Sequence, residues 1–94
     1  MESKEYSWAW VTAARLLTEL ECELVGAYLL VSANNGSATI YNGTSTTGET
    51  AVTLSSAVVT GLPFNPPVPI YCRKGLYVGS FTTVTGILVV WRHL

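Results

Sequence analysis

Aspartate is absent from this chain, and histidine occurs once, at position 93. Charge of either sign is scarce. Five Lys and Arg face six Glu, giving a net charge of -1, and charged residues make up only 12% of the chain. A soluble domain usually carries about 25%. Each shortage excludes something. With no basic excess there is no electrostatic footprint for nucleic acid. A zinc site needs about four Cys or His ligands at set spacing. Only Cys22, Cys72 and His93 are available, so no metal is expected. A nucleophilic triad needs a positioned base. The single histidine is the penultimate residue, and a solvated or interface role suits it better. There is no Gly-x-Ser-x-Gly motif, and the eight glycines are scattered, not gathered into a phosphate-binding loop. The expectation is a protein that is not an enzyme and carries no cofactor.

Long apolar runs are missing too. Leu24 to Val31 and Ile87 to Trp91 are the longest. Both fall well short of the ~20 residues of a spanning helix. The polar start Met1-Glu2-Ser3-Lys4-Glu5 is not followed by a signal-like apolar core. The expectation is a protein without signal peptide or transmembrane segment, kept in a reducing cytoplasm. Free buried thiols at Cys22 and Cys72 are then favoured over a disulfide, although the sequence leaves their pairing open.

What is present is strand signal. The chain has 94 residues, 49% of them hydrophobic. That length fits one domain, 1–94, with a thin core that buries about 60–65% of the unfolded chain's surface. Tyr6, Trp8, Trp10 and Thr12 alternate with Ser7, Ala9, Val11 and Ala13. Further strand signals are Leu24 to Ser32, Ser37 to Tyr41, Thr50 to Leu54 with Ala57 to Thr60, Ile70 to Cys72, Leu76 to Val78 and Gly86 to Arg92. Asn35-Gly36 and Asn42-Gly43 bracket the third of these as turn signals. Without a signal peptide, the sequons that start at these two asparagines mean turns, not glycans. Gly61 to Pro69 holds all four prolines. It cannot be a central ladder strand throughout, and it reads as a rigid crossover connection. Short strands at this spacing make an antiparallel β-sandwich or barrel.

Ala13 to Leu24 is ambiguous. Leu16, Leu20 and Leu24 recur at helical spacing, while Leu20, Cys22 and Leu24 alternate with Glu19, Glu21 and Glu23. We read it as strand, with a short helix over 13–21 as the alternative. As a strand, the three glutamates would line one face with about 6.6–7 Å between neighbours. That is the spacing of a solvated face, and with no Asp-x-Asp loop a calcium site is the lesser reading.

Leu24 to Val31 and Ile87 to Trp91 look apolar on both faces. One face of a sandwich strand meets the core and the other meets solvent, so an outer apolar face needs a cover. A neighbouring subunit is the natural one. The candidate subunit interface is Tyr6, Trp8, Trp10, Leu29, Val31, Val89 and Trp91, with 1–12 as an arm lying on the neighbour. The alternative for Tyr6, Trp8 and Trp10 is stacking on sugar rings.

Ala38-Thr39-Ile40-Tyr41-Asn42 is followed by a Thr/Ser/Gly loop with Gly48. Then come Leu62-Pro63-Phe64, a Pro-rich turn, Lys74-Gly75-Leu76-Tyr77-Val78 and a Val/Trp-rich final strand. This order, over roughly Leu24 to Trp91, resembles small tailed-phage virion accessory proteins with a β-sandwich or jelly-roll fold. The resemblance implies a jelly-roll-like sandwich of about seven to eight strands. It also implies a virion component made in the host cytoplasm: a capsid decoration, head-tail or tail accessory subunit. Such a subunit assembles as a trimer or ring and contacts other virion proteins, with no nucleic acid or membrane partner. A carbohydrate-binding β-sandwich that uses exposed aromatics is the alternative.

Overall fold

The computed structural model describes residues 6–94. They form nine strands and no helix: β1 (Ser7–Val11), β2 (Arg15–Thr18), β3 (Cys22–Val31), β4 (Gly36–Asn42), β5 (Glu49–Ser56), β6 (Gly61–Phe64), β7 (Ile70–Cys72), β8 (Leu76–Thr82) and β9 (Val84–His93). The helix considered over 13–21 does not form. Instead β2 pairs antiparallel with β8, and 19–21 is the passage that carries the chain from one sheet to the other. Glu19, Glu21 and Glu23 therefore do not share a strand face; only Glu23 lies in β3.

The strands make two antiparallel sheets, ordered β1-β9-β3-β6 with β7 also on β3, and β2-β8-β4-β5. β6 and β7 pair with successive stretches of β3, at Ala27–Leu30 and at Cys22–Leu24. They are two pieces of one edge strand, so nine strands fill eight positions. The first position then pairs with the last, the second with the seventh, the third with the sixth and the fourth with the fifth. This is one long antiparallel hairpin with its tip at β4–β5, rolled until β9 meets β3 and β8 meets β4. The protein is a jelly-roll β-sandwich. The proline segment 65–69 is not a crossover: it interrupts a single edge strand. Proline suits that place, since an edge residue can lack a ladder N–H.

Alternation, reset in β3 by a β-bulge, sets the core. Val11, Leu24, Leu29, Ile87 and Val89 point inward from the five-stranded sheet and are fully buried. Ile40, Leu76 and Val78 meet them from the other sheet. Each such side chain contributes roughly 1.5–3 kcal/mol by leaving water. Trp91 packs among them with its indole N–H buried and without a partner among the described residues. A β-bulge at Val25 shifts the β3–β9 register between Leu24 and Gly26, and it lies beside the proline interruption.

The two outer faces differ in chemistry. On the four-stranded sheet, Ser37 lies opposite Ser55 and Thr39 opposite Thr53. The two threonine hydroxyls are hydrogen-bonded at 3.2 Å. That face is polar and suited to water. The outer face of the five-stranded sheet is not.

Candidate functional site

Side chains that alternate with the core residues of β1, β9, β3 and β6 form the outer face of the five-stranded sheet. The registers align them in rows across the strands. One row runs Trp10–Leu88–Tyr28–Pro63, a second Trp8–Val90–Gly26 and a third Gly86–Leu30–Gly61. Trp8 is 68% exposed, and Trp10 and Tyr28 are about two-fifths exposed. Leu30, Leu88 and Val90 are half-buried among them. No charged side chain interrupts these three rows.

Gly26 leaves a dimple in this face. The hollow is about 280 Å³ and is lined by Val25, Tyr28, Pro63, Asn65, Leu88 and Val90. A methyl group built on Gly26 would lie 3.1 Å from the Phe64 carbonyl oxygen and 3.5 Å from Asn65 Oδ1. The floor of an otherwise apolar hollow therefore carries two hydrogen-bonding groups, supplied by the start of the proline segment.

The face ends in a polar row. Arg92, Glu23 and Tyr71 lie side by side on β9, β3 and β7. Arg92 forms a salt bridge to Glu23 through Nη2, with Nε donating to the same oxygen at 3.1 Å. The guanidinium also sits 5.7 Å from the Tyr6 ring centroid, a cation–π distance. Tyr71 donates its hydroxyl proton to Glu21. The carboxylate of Glu21, first, and burial, second, push the Tyr71 phenol up. Glu23 beside it raises Arg92 further.

The structure divides the sequence-selected residues into two groups. Tyr6, Trp8 and Trp10 come together on the exposed face. Leu29, Val31, Val89 and Trp91 do not join them: they are 0%, 1%, 0% and 6% exposed, inside the sandwich. The outward residues are their chain neighbours Tyr28, Leu30, Leu88 and Val90. Both strands are apolar on both faces, so period-2 alternation carries no phase and does not separate the inward set from the outward one. Residues 7–11, expected within an arm, form edge strand β1, whose Ala9 and Val11 are core. The rest of that arm, 1–5, lies outside the described residues, and Thr12 follows the strand.

The remaining groups with chemical potential lie off this apolar face. His93 Nε2 is 3.0 Å from Thr18 Oγ1 at the exposed end of β9. Cys22 and Cys72 are buried together in the core, and Cys22 is the cross-strand partner of His93. Among the described residues no three His, Cys or Glu side chains gather as a metal-binding group would require, and no helix is long and apolar enough to cross a membrane. A second, polar hollow lies between the 42–48 turn and Lys74. There Ser45 Oγ and Thr47 Oγ1 are 2.7 Å apart, and the Lys74 backbone N–H donates to Asn42 Oδ1 at 2.9 Å.

Fold and face together define a class: a small jelly-roll sandwich with one polar and one aromatic outer sheet surface. No family model, curated protein or solved structure matches the chain.

Proposed function

We propose that this protein is a non-enzymatic assembly subunit that forms a symmetric homo-oligomer through the outer face of its five-stranded sheet. The observation that carries this reading is the unbroken apolar surface Trp8, Trp10, Tyr28, Leu30, Leu88 and Val90. The four strands have 5, 10, 10 and 4 residues, and at about 3.3 Å per residue and about 4.8 Å between strands they make a face of roughly 460 Å². That is comparable to the largest apolar patches found on monomers, about 300–600 Å², which are often functional. It would supply most of one side of a small specific interface, about 600 Å² per partner. The polar row of Arg92, Glu23 and Tyr71 supplies a rim, as interfaces commonly have. The opposite sheet is Thr- and Ser-rich and stays in water.

The particular setting we propose is a phage-like virion, as a capsid decoration, head-tail or tail accessory subunit. The support is the sequence texture over Leu24 to Trp91, together with a jelly roll, a fold used by viral capsid domains. This is an argument by analogy of fold.

Light scattering and native mass spectrometry test the assembly. The expected result is a cyclic oligomer for the wild type. Trp8→Ser combined with Leu88→Glu should give a monomer with an unchanged β-sheet circular dichroism spectrum. A wild-type monomer at micromolar concentration would count against assembly through this face. Peptides of this chain in purified virions, and not in particle-free lysate, test the setting.

One observation favours a second reading. The Gly26 hollow pairs an aromatic wall, Tyr28, with hydrogen-bonding groups at its floor, and Trp8 stands exposed beside it. Lectin domains also use the jelly roll. If the face binds carbohydrate, oligosaccharides change tryptophan fluorescence in the wild type and Trp8→Ala loses the effect. An indifferent fluorescence signal removes this reading.

A further inference from the structure

Cys22 and Cys72 are direct register partners where β7 pairs antiparallel with β3. Both are free thiols, both fully buried, and both point into the sandwich. Directly opposed residues in such a pair have Cα atoms roughly 4.5–5.5 Å apart. A disulfide spans Cα separations of roughly 4.4–6.8 Å. The backbone thus already holds the two residues at bridging distance. We propose that Cys22 and Cys72 form a redox-closable staple, which a small-molecule disulfide oxidant converts to an intramolecular disulfide that locks β7 onto β3.

The surroundings supply both access and direction. β7 has three residues, pairs only with β3, and is set off by the proline segment on one side and by Arg73 to Gly75 on the other. A strand this short, at an edge, opens locally at far lower cost than the whole domain unfolds. Opening β7 carries Cys72 to solvent and leaves Cys22 in β3. The facing Cys22 sulfhydryl holds the Cys72 thiol below its ordinary value, although burial opposes this. Cys72 in turn, first, and burial, second, push the Cys22 thiol well up. Cys72, which the opening of β7 exposes, is the attacking group, and Cys22, held in β3, is the resolving one.

With oxidised glutathione as oxidant the chemistry balances. The Cys72 thiolate attacks one glutathione sulfur. The oxidant's S–S bond breaks, a mixed disulfide forms at Cys72, and one glutathione thiolate leaves and takes up a proton. Cys22 then loses its proton and attacks the Cys72 sulfur. The Cys22–Cys72 bond forms, and the second glutathione leaves as its thiol. Two protein thiols are oxidised and one glutathione disulfide is reduced to two thiols. The product closes the chain between positions 22 and 72, which removes freedom from the unfolded state.

The test uses the wild-type chain, incubated with oxidised glutathione and then alkylated in denaturant. The expected product has lost two hydrogens by intact mass, carries no alkyl label and gives one cross-linked peptide joining Cys22 to Cys72. It melts roughly 10 °C or more above the reduced form. Cys22→Ala should accumulate the mixed disulfide at Cys72, while Cys72→Ala should react only when unfolded. Two alkylated thiols after full exchange, a stable glutathione adduct on the wild type, or an oxidised form that melts no higher than the reduced one would each overturn the proposal. All three outcomes are read on the wild type, so poor folding of a cysteine mutant does not obscure the answer.

Discussion

Trp10 lies across Gly86. A methyl group built on the glycine would sit 2.6 Å from Trp10 Cζ2 and 3.0 Å from the Val11 carbonyl oxygen. Tyr28 covers Gly61 in the same relation, since each aromatic faces a residue two positions beyond its glycine. An aromatic ring laid over a strand glycine shields backbone that would otherwise be weakly packed. The two glycines differ in what surrounds them, and that separates their mutants. At Gly86 a backbone oxygen blocks the new methyl, so Gly86→Ala should cost about 1–3 kcal/mol by overpacking. At Gly61 the obstacle is the hydroxyl end of Tyr28, which can swing outward. Gly61→Ala should cost less than about 1 kcal/mol. Urea denaturation of the two variants measures the contrast.

The Arg92–Glu23 pair is worth less than its geometry suggests. Its side chains are 25% and 23% exposed, so water screens much of the attraction. Glu23→Gln should cost roughly 0.5–1 kcal/mol at low salt and less at high salt. Arg92→Ala should cost slightly more, because it also removes the contact with Tyr6. A double-mutant cycle over Arg92 and Glu23, repeated at two ionic strengths, isolates the pair from the stacking.

Tyr71 gives a pH dependence with a definite sign. Its hydroxyl donates to Glu21, and its folded-state pKa is raised above the ordinary value of 10.0. A group raised on folding adds stability that is complete below its unfolded pKa. That stability is lost as pH rises through the folded pKa. The contribution is therefore constant at neutral pH and disappears in strongly alkaline solution. Glu21→Gln should bring the Tyr71 titration back down toward 10, followed by ultraviolet absorbance of the phenolate. The Tyr71→Phe protein should lack that transition in both backgrounds.

The strand pattern was legible wherever local chemistry punctuates it. Asn35 adopts the left-handed φ of 62° expected of an Asn-Gly turn, and β4 falls between the two Asn-Gly pairs. Ile70 to Cys72 emerged with its bounds intact. The all-β class followed from these signals. The rolled hairpin order did not, because it depends on pairings between residues as distant as Ser7 and Trp91. The passage at 19–21 was hidden for another reason. Leu20 continues the apolar alternation yet is 63% exposed, since the chain is there leaving one sheet for the other. The aromatic face was half legible. Trp8 and Trp10 stood out as large residues in alternation with small ones, whereas β3 and β9 offer apolar residues at every position.

The missing phase in β3 and β9 is open to direct measurement. Leu29 and Leu88 are the same residue type on adjacent strands, one fully buried in the core and one on the outer face beside Tyr28. Leu29→Ala removes packed methyl groups from a closed interior and should cost about 2–5 kcal/mol. Leu88→Ala removes them from a surface that water already reaches, and in the monomer it should cost about 1 kcal/mol or less. Denaturation midpoints at equal m values give the comparison. It must be made in a Trp8→Ser background that stays monomeric, because an oligomer contact through Leu88 would add its own free energy to stability. In the assembling wild type, the Leu88→Ala penalty should grow with protein concentration while that of Leu29→Ala stays fixed. Equal penalties in the monomer would reverse the assignment of inner and outer faces, and with it the surface on which assembly was placed.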